Sequence, residues 1–304
     1  MKVGYAALIG RPNVGKSTLL NNMLRQKVAI ISNKPQTTRT SILGIKTTEK
    51  GQIIFVDNPG IHKPLHNLNK RMMNFVYSSL ETSDLVNLLI DATEKYGHGD
   101  RFVIDILKNI SIPIILLINK VDIVRKDKIL LIIDQYKDLL SFKEIIPISA
   151  LKGTNVNVFE DIIYENLPEA EKIYSDDEIS DQSQRFLLSE IIREKLLRHV
   201  EQELPFSTAV YIDTIEDIPE DSPPNADSAK KKQRKYINAH IFVEKETHRR
   251  IIIGKQGRMI KKIGTQARLE LVKILDARIY LDLWVKVKEN WRDAADVLDL
   301  IERQ

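Results

Sequence analysis

The chain has 304 residues, 43% of them apolar and 29% charged, a length and balance that fit two ordinary cores and exclude wholesale disorder or a fibrous repeat. It has no cysteine, which removes disulfides, thiolate metal sites and cysteine nucleophiles and fits a reducing compartment such as the cytoplasm. Net charge is only +4, yet residues 165–229 carry 17 acidic and 5 basic side chains while residues 230–273 carry 14 basic and 3 acidic ones, so the average conceals a basic block.

In chain order, residues 3 to 166 alternate short apolar runs with amphipathic stretches. VGYAALIG, IIFVDN, DLVNLLIDA, IPIILLINK and EIIPISA read as buried strands, and the alternation predicts right-handed strand-helix-strand units on a mostly parallel sheet, an α/β domain over residues 1–170. SILGIKTTEKGQIIFVD differs: two strands meet at a Glu-Lys-Gly turn with no room for a helix, which predicts an antiparallel edge hairpin. The acidic, polar residues 171–182 read as a linker.

A second, α+β domain is expected over residues 183–304. SQRFLLSEIIREKLLRHV has helical periodicity, STAVYIDTI and YINAHIFVE read as strands, and GRMIKKIGTQARLELVKIL forms a helix with Ile260, Ile263, Ala267, Leu271 and Ile274 on one face, before a last strand, ARIYLDLWVKV. Between the first two strands, residues 216–235 are rich in Pro, Ser, Asp and Lys and predict a mobile loop. The longest apolar run, residues 112–118, is far short of the roughly 20 residues of a membrane span, and the N-terminus enters a strand without a cleavable leader.

GRPNVGKS at 10–17 follows a strand and opens a helix, the context that makes this phosphate-loop pattern specific. Gly10 and Gly15 let backbone N–H groups curl around phosphates, with Arg11, Pro12, Asn13 and Val14 completing the loop. Lys16 brings a point charge, Ser17 a hydroxyl for Mg²⁺, and Thr18 continues the helix whose N-terminus favours an anion. The loop does not read the base. NKVD at 119–122 follows the strand IPIILLI, and there Asp122 can accept two hydrogen bonds from guanine, a donor pair that adenine lacks, so adenine leaves a buried carboxylate unpaired. Asn119 should tie this loop to the phosphate loop and Lys120 lie along the base, while Ser149, Ala150 and Leu151 can offer backbone N–H to the guanine oxygen. Asp57, at a strand end in DNPG, would hold Mg²⁺ through water, and Gly60 can sense the γ-phosphate.

GRPNVGKS, DNPG, NKVD and SALKG, in this order and spacing, resemble the P-loop GTPase family. The resemblance covers the first domain and implies GTP and GDP as ligands with Mg²⁺. NKPQTTRT at 33–40 is similar to the family's first switch, which implies that Thr38, or its neighbour Thr37, completes the Mg²⁺ shell. Asn58, Pro59 and Ile61, around Gly60, are counted among the GTP-contacting residues, although Asn58 departs from the usual threonine. Ile61 stands where many members have a water-orienting glutamine, and it has neither donor nor acceptor. Slow intrinsic hydrolysis is therefore expected, with K⁺ held by Asn13, as the PNVGKS form of the loop implies, supplying charge to the transition state. The catalytic set is then Asn13, Lys16, Thr38 and Gly60. His62 and His66 are ordinary loop histidines in this reading.

RRIIIGKQGRMIKKIG holds a GxxG followed at once by a helix inside the basic block. Gly254, Lys255, Gln256 and Gly257 admit a nucleic-acid backbone, Arg258 and Lys261 add charge, and Ile251 to Ile253 can wall an apolar groove for unstacked bases. This segment resembles a KH domain of the type II order. The pairing of the two domains is similar to a family of bacterial ribosome-assembly GTPases. That resemblance implies binding to the 3′ end of small-subunit ribosomal RNA, a part in 30S maturation, a monomer, and peripheral association with the inner membrane. A membrane-associated switch that recruits proteins is the competing reading.

Overall fold

The computed structural model describes residues 1–219 and 233–302, in two compact units, Met1–Gln182 and Ser183–Gln304. In the first unit β1 (Lys2–Gly10) leads into α1 (Lys16–Leu24). A hairpin of β2 (Ile42–Thr48) and β3 (Gly51–Asp57) follows, then α2 (Asn67–Thr82), β4 (Leu85–Asp91), α3 (His98–Leu107), β5 (Ile114–Asn119), α4 (Lys126–Tyr136), β6 (Phe142–Pro147) and α5 (Val156–Asn166). The sheet order is β2-β3-β1-β4-β5-β6, parallel except for the β2–β3 pair, whose register runs from Ile42 opposite Asp57 to Thr48 opposite Gly51. The expected edge hairpin is present. Gly51 makes its turn: φ is 155°, and a Cβ there would lie 1.7 Å from the carbonyl oxygen of Lys2, so only glycine fits.

Residues of β1 alternate between two cores. Ala6 and Leu8 join the core that includes Leu19, Leu20 and Phe159 of α1 and α5, whereas Ala7 and Ile9 join the one that includes Val76, Val103 and Ile132 of α2, α3 and α4. Helices on both faces leave the carboxyl ends of the strands as the open side, and a ligand crevice in this class of sheet forms there.

The expected linker at 171–182 belongs instead to the first unit. β2 is an edge strand, and its unpaired backbone is met by this segment: the Ile45 amide donates to Ile179 O (2.8 Å) and the Ser180 hydroxyl to Leu43 O (2.7 Å). The fully buried Gln52 accepts from the amides of Ile173 and Tyr174 at 2.9 Å and donates back to Tyr174 O. An open strand edge offers groups that a passing polar segment can satisfy.

The second unit runs α6 (Gln184–Leu197), β7 (Thr208–Asp217), β8 (Arg234–Val243), α7 (Glu246–Ile253), α8 (Arg258–Leu275), β9 (Arg278–Val287) and α9 (Ala295–Glu302). Ser183 caps α6 by accepting from the Phe186 amide. β8 is central, antiparallel to β7 and parallel to β9. The loop expected at 216–235 is shorter at both ends, because the strands continue to Asp217 and resume at Arg234, with Asp217 paired to Lys235; its centre, 220–232, lies outside the described residues. The expected groove wall Ile251 to Ile253 is the last turn of α7, and of its three residues Ile252 is fully buried. The chain end is anchored by Trp291, also fully buried, whose indole N–H donates to Ser207 O at 3.0 Å.

Candidate nucleotide and RNA sites

The phosphate loop wraps from the end of β1 to the start of α1. Gly15 has φ 105°, and a Cβ there would lie 2.2 Å from Asn119 Nδ2, so the glycine both allows the left-handed turn and lets the base-reading loop approach. Lys16 is buried and folds its ammonium onto the carbonyls of Gly10 (3.2 Å) and Arg11 (3.0 Å). Burial pushes its pKa down to about 8, against the opposing pull of Asp57. The Arg11 side chain turns outward to Asp100 (3.0 Å) and Glu94 (2.9 Å), so Arg11 contributes its carbonyl to the loop rather than a guanidinium to phosphate. A pocket over the loop is lined by Gly15, Lys16, Ser17 and Thr18, together with Ile30, Ile31, Ser32 and Gln36, which sequence reasoning missed.

Ser17, Thr38 and Asp57 converge. The Ser17 hydroxyl donates to Asp57 Oδ2 at 2.5 Å and lies 2.9 Å from the Thr38 hydroxyl; its single proton being spent, Thr38 is the donor in that contact. Thr37 instead turns its hydroxyl to Lys34 O at 2.7 Å, so Thr38 is the threonine that meets Ser17. Asp57 is fully buried, its Oδ1 has no hydrogen-bond partner, and burial raises its pKa to about 6 despite Lys16 and Ser17. Two hydroxyls and one carboxylate with an orphaned oxygen fit Mg²⁺, which takes oxygen ligands from one or two carboxylates and leaves positions for phosphate and water.

Gly60 sits against the phosphate loop, where a Cβ would come within 2.6 Å of the Pro12 backbone. Asn58 turns away: it is fully buried, donates to Val56 O (3.1 Å) and accepts from the Ser41 hydroxyl (2.9 Å). Ile61 is 2% exposed and belongs to the second core, so its side chain is structural. The Asn69 amide donates to His62 Nε2 at 2.9 Å, which leaves His62 Nδ1–H to donate to Gly60 O at 2.7 Å. The Asn13 amide donates to Asn33 O at 2.8 Å and so ties the phosphate loop to the first switch.

At the base end, Asn119 donates to Val14 O (2.7 Å) and accepts from the Ala150 amide (2.9 Å), the expected tie between loops. That bond also commits the Ala150 amide, one of the expected donors to the guanine oxygen. Lys120, at φ 67°, pairs with Asp91 at 2.6 Å. Asp122 accepts from the Ser149 hydroxyl at 2.6 Å through Oδ1, which orients the carboxylate at the mouth of the crevice.

In the second unit the GxxG loop joins α7 to α8. Gly254, Gln256 and Gly257 have φ of 71°, 52° and 73°, so the loop turns sharply with Lys255, Gln256 and Arg258 exposed and Ile253 half-buried behind it. A Cβ at Gly254 would lie 2.7 Å from that of Met259, whereas one at Gly257 would meet nothing within 4 Å. Beside the loop, α8 and β9 form a groove of about 300 Å³ lined by Ile260, Lys261, Gly264, Arg268, Leu281 and Leu283. Of these only Lys261 was a sequence candidate; the small Gly264 mid-helix and the alternation of Leu281 and Leu283 were the signals available for the rest.

Residues 5–120 match the family described as 50S ribosome-binding GTPase, and residues 225–292 match the KH domain. Two solved structures align with a TM-score of 0.89 and 42% identity over 99% of this chain. One is Era in complex with MgGDPNP and nucleotides 1506–1542 of 16S ribosomal RNA, covered over 98% of its length. The other is a point variant of Aquifex aeolicus Era bound to GDP and AlF4⁻, covered over 99%.

The chain belongs to the Era family of GTPases. Both units of the Era-family fold are present on this chain. Lys16, Ser17, Thr38 and Asp57 would hold MgGTP. Bound there, Mg²⁺ would neutralise charge on the transferring phosphoryl group; the chain's own part would be to hold the phosphates through loop amides and the switch through Thr38, with Gly60 set against the loop.

Proposed function

We propose that this protein is a GTP-hydrolysing switch that grips the 3′ end of 16S ribosomal RNA through its KH unit and acts in assembly and maturation of the 30S subunit. The observation that carries this reading is the joint presence, on one chain, of the Ser17–Thr38–Asp57 oxygen cluster and a GxxG loop opening onto an apolar, basic-rimmed groove. The Era relative whose solved complex holds this RNA supports the choice of ligand. The test is RNA binding by the Gly257→Asp variant. Its Cβ meets no neighbour within 4 Å, so the only strain is that of a φ of 73° in the loop itself, and the side chain puts a carboxylate where phosphate must approach, so 16S 3′-end RNA should be released while GTP binding persists. Undiminished RNA binding defeats the assignment.

Hydrolysis in this reading uses K⁺ at Asn13, whose Oδ1 is left for a cation when its amide holds Asn33 O. GTP turnover should therefore collapse when sodium replaces potassium, and turnover indifferent to the exchange removes K⁺ from the mechanism. We also place the protein in the cytoplasm as a monomer with a peripheral contact at the inner membrane. Ile123, Leu130 and Leu131 are 66%, 68% and 71% exposed among Arg125, Lys126 and Lys128, a pairing of apolar and basic groups suited to anionic headgroups. Co-sedimentation with anionic vesicles, lost in a Leu130→Ser, Leu131→Ser variant, is the expected result; no retention on such vesicles removes the contact.

A further inference from the structure

The sheet of the second unit has a face that the groove does not use. Alternation along β8 buries Ile237, Ala239 and Ile241, and their β9 neighbours Leu281, Leu283 and Val285 share that side, two of them lining the groove. The residues between them point the other way. There Tyr236 stands beside Tyr280, His240 lies between Tyr211 and Trp284, and Lys286 follows. Trp284 is 58% and Tyr280 54% exposed. The other tryptophan, Trp291, is fully buried, so the exposure of Trp284 is particular to its place.

Two features of this face favour a nucleic-acid strand over a protein. The first is the setting of flat rings among cations: Arg234, Arg278 and Lys286 stand on the face with the rings, balanced by Glu216, Asp282 and, beside His240, Asp213, and the Asp282 carboxylate accepts from the Tyr236 hydroxyl at 2.8 Å. Flat π-surfaces ringed by guanidinium and ammonium groups suit stacked bases and their phosphates. The second is continuity. β9 is an edge strand, so Leu281 and Leu283 face the groove while Tyr280 and Trp284, one residue on, face outward around the same edge. A GxxG loop clamps only about four nucleotides, and a longer strand leaving the groove over β9 meets these two rings next.

We propose that this open face is a second RNA-binding surface, on which Tyr280 and Trp284 stack unpaired bases of the strand whose neighbouring nucleotides occupy the groove. The inference rests on the RNA-binding reading above. The test uses the full chain with a GTP analogue and two probes: RNA of the sequence 1506–1542 of 16S ribosomal RNA and a fragment of about four nucleotides that only fills the groove. Tyr280→Ala with Trp284→Ala should weaken the long RNA at least about ten-fold, the scale of losing one or two stacked bases, and leave the fragment unchanged, while Gly257→Asp weakens both. In the unsubstituted protein the long RNA should quench tryptophan emission, and Trp284→Phe should remove that quenching, a readout that does not depend on the double variant folding. If the unsubstituted protein ignores both RNAs, the RNA reading falls and this inference with it. If Gly257→Asp alone weakens the long RNA and the emission of Trp284 does not move, RNA binding stands but the open face is a protein-docking or unused surface, and the inference is overturned.

Discussion

Asp57 shows how one residue is held at a cost for the sake of its ligand. Burial raises its pKa from 3.8 to about 6, so between these values the folded, nucleotide-free protein keeps a proton that the unfolded chain has released. Its contribution to stability therefore falls as pH rises through this window and is gone above about 6. At roughly 1.4 kcal/mol per pH unit, the ionised carboxylate costs the empty fold on the order of 3 kcal/mol at neutral pH. Asp57→Asn should accordingly raise the melting temperature of the nucleotide-free protein at pH 7, with the advantage fading towards pH 4, and should abolish Mg²⁺-dependent GTP binding; pH-resolved melting curves without nucleotide, and at pH 7 with MgGTP, check both. Ile61 presents the opposite case. Being 2% exposed in a core, it is no substitute for a water-orienting amide, and Ile61→Gln should not accelerate GTP hydrolysis. The buried amide should instead destabilise the first unit by about 1–3 kcal/mol, measured by chemical denaturation beside single-turnover hydrolysis.

Among the elements, the start of the segment 171–182 is held by Gln52, a side chain more than a hundred residues away in sequence, and its end by Ile45 and Leu43 of β2. Gln52→Leu keeps the volume but strands the amides of Ile173 and Tyr174, which should cost about 1–3 kcal/mol and speed proteolysis between residues 171 and 182. A rate equal to that of the unsubstituted protein would show the segment to be held elsewhere. This contact also explains why the segment reads as a linker: acidic, polar composition reports exposure, and nothing local names a remote strand edge as partner. The parallel sheet was legible because the runs at β1, β3, β4 and β5 are buried on both faces and so read as continuous apolar stretches. α7 was not, because only His248 and Ile252 point inward and the adjacent Ile251 and Ile253 blur the helical period. The same divide runs through the sites. Residues 10–17 act through local backbone geometry and are readable as a motif, whereas the α8–β9 groove exists only once Gly264 comes within 3.4 Å of Leu283 for a Cβ placed there.

At the scale of the molecule, two binding units meet in one chain at residues 182 and 183, and the question is whether nucleotide state reaches the RNA. The first switch is physically joined to the segment after Asp57: Asn13 holds Asn33 O, Thr38 meets Ser17, and Gln36 lies 3.2 Å from His62, which also accepts from Asn69 at the start of α2. A γ-phosphate that fixes Thr38 and Gly60 therefore biases residues 33–41 and 58–70 together. If that bias extends to the KH unit, linkage demands reciprocity: the factor by which a GTP analogue tightens RNA binding equals the factor by which RNA tightens the analogue. We expect a factor of about 5 to 150, the usual range of such couplings, relative to the GDP form. His62→Ala removes the donor to Gly60 O and the acceptor for the Asn69 amide without touching phosphate loop or base reader, so it should lower the factor towards one while GDP affinity holds. Titrating each ligand in the presence and absence of the other measures both factors independently. A factor of one in the unsubstituted protein would mean that the two units bind their ligands side by side, with hydrolysis timing some event other than the grip on RNA.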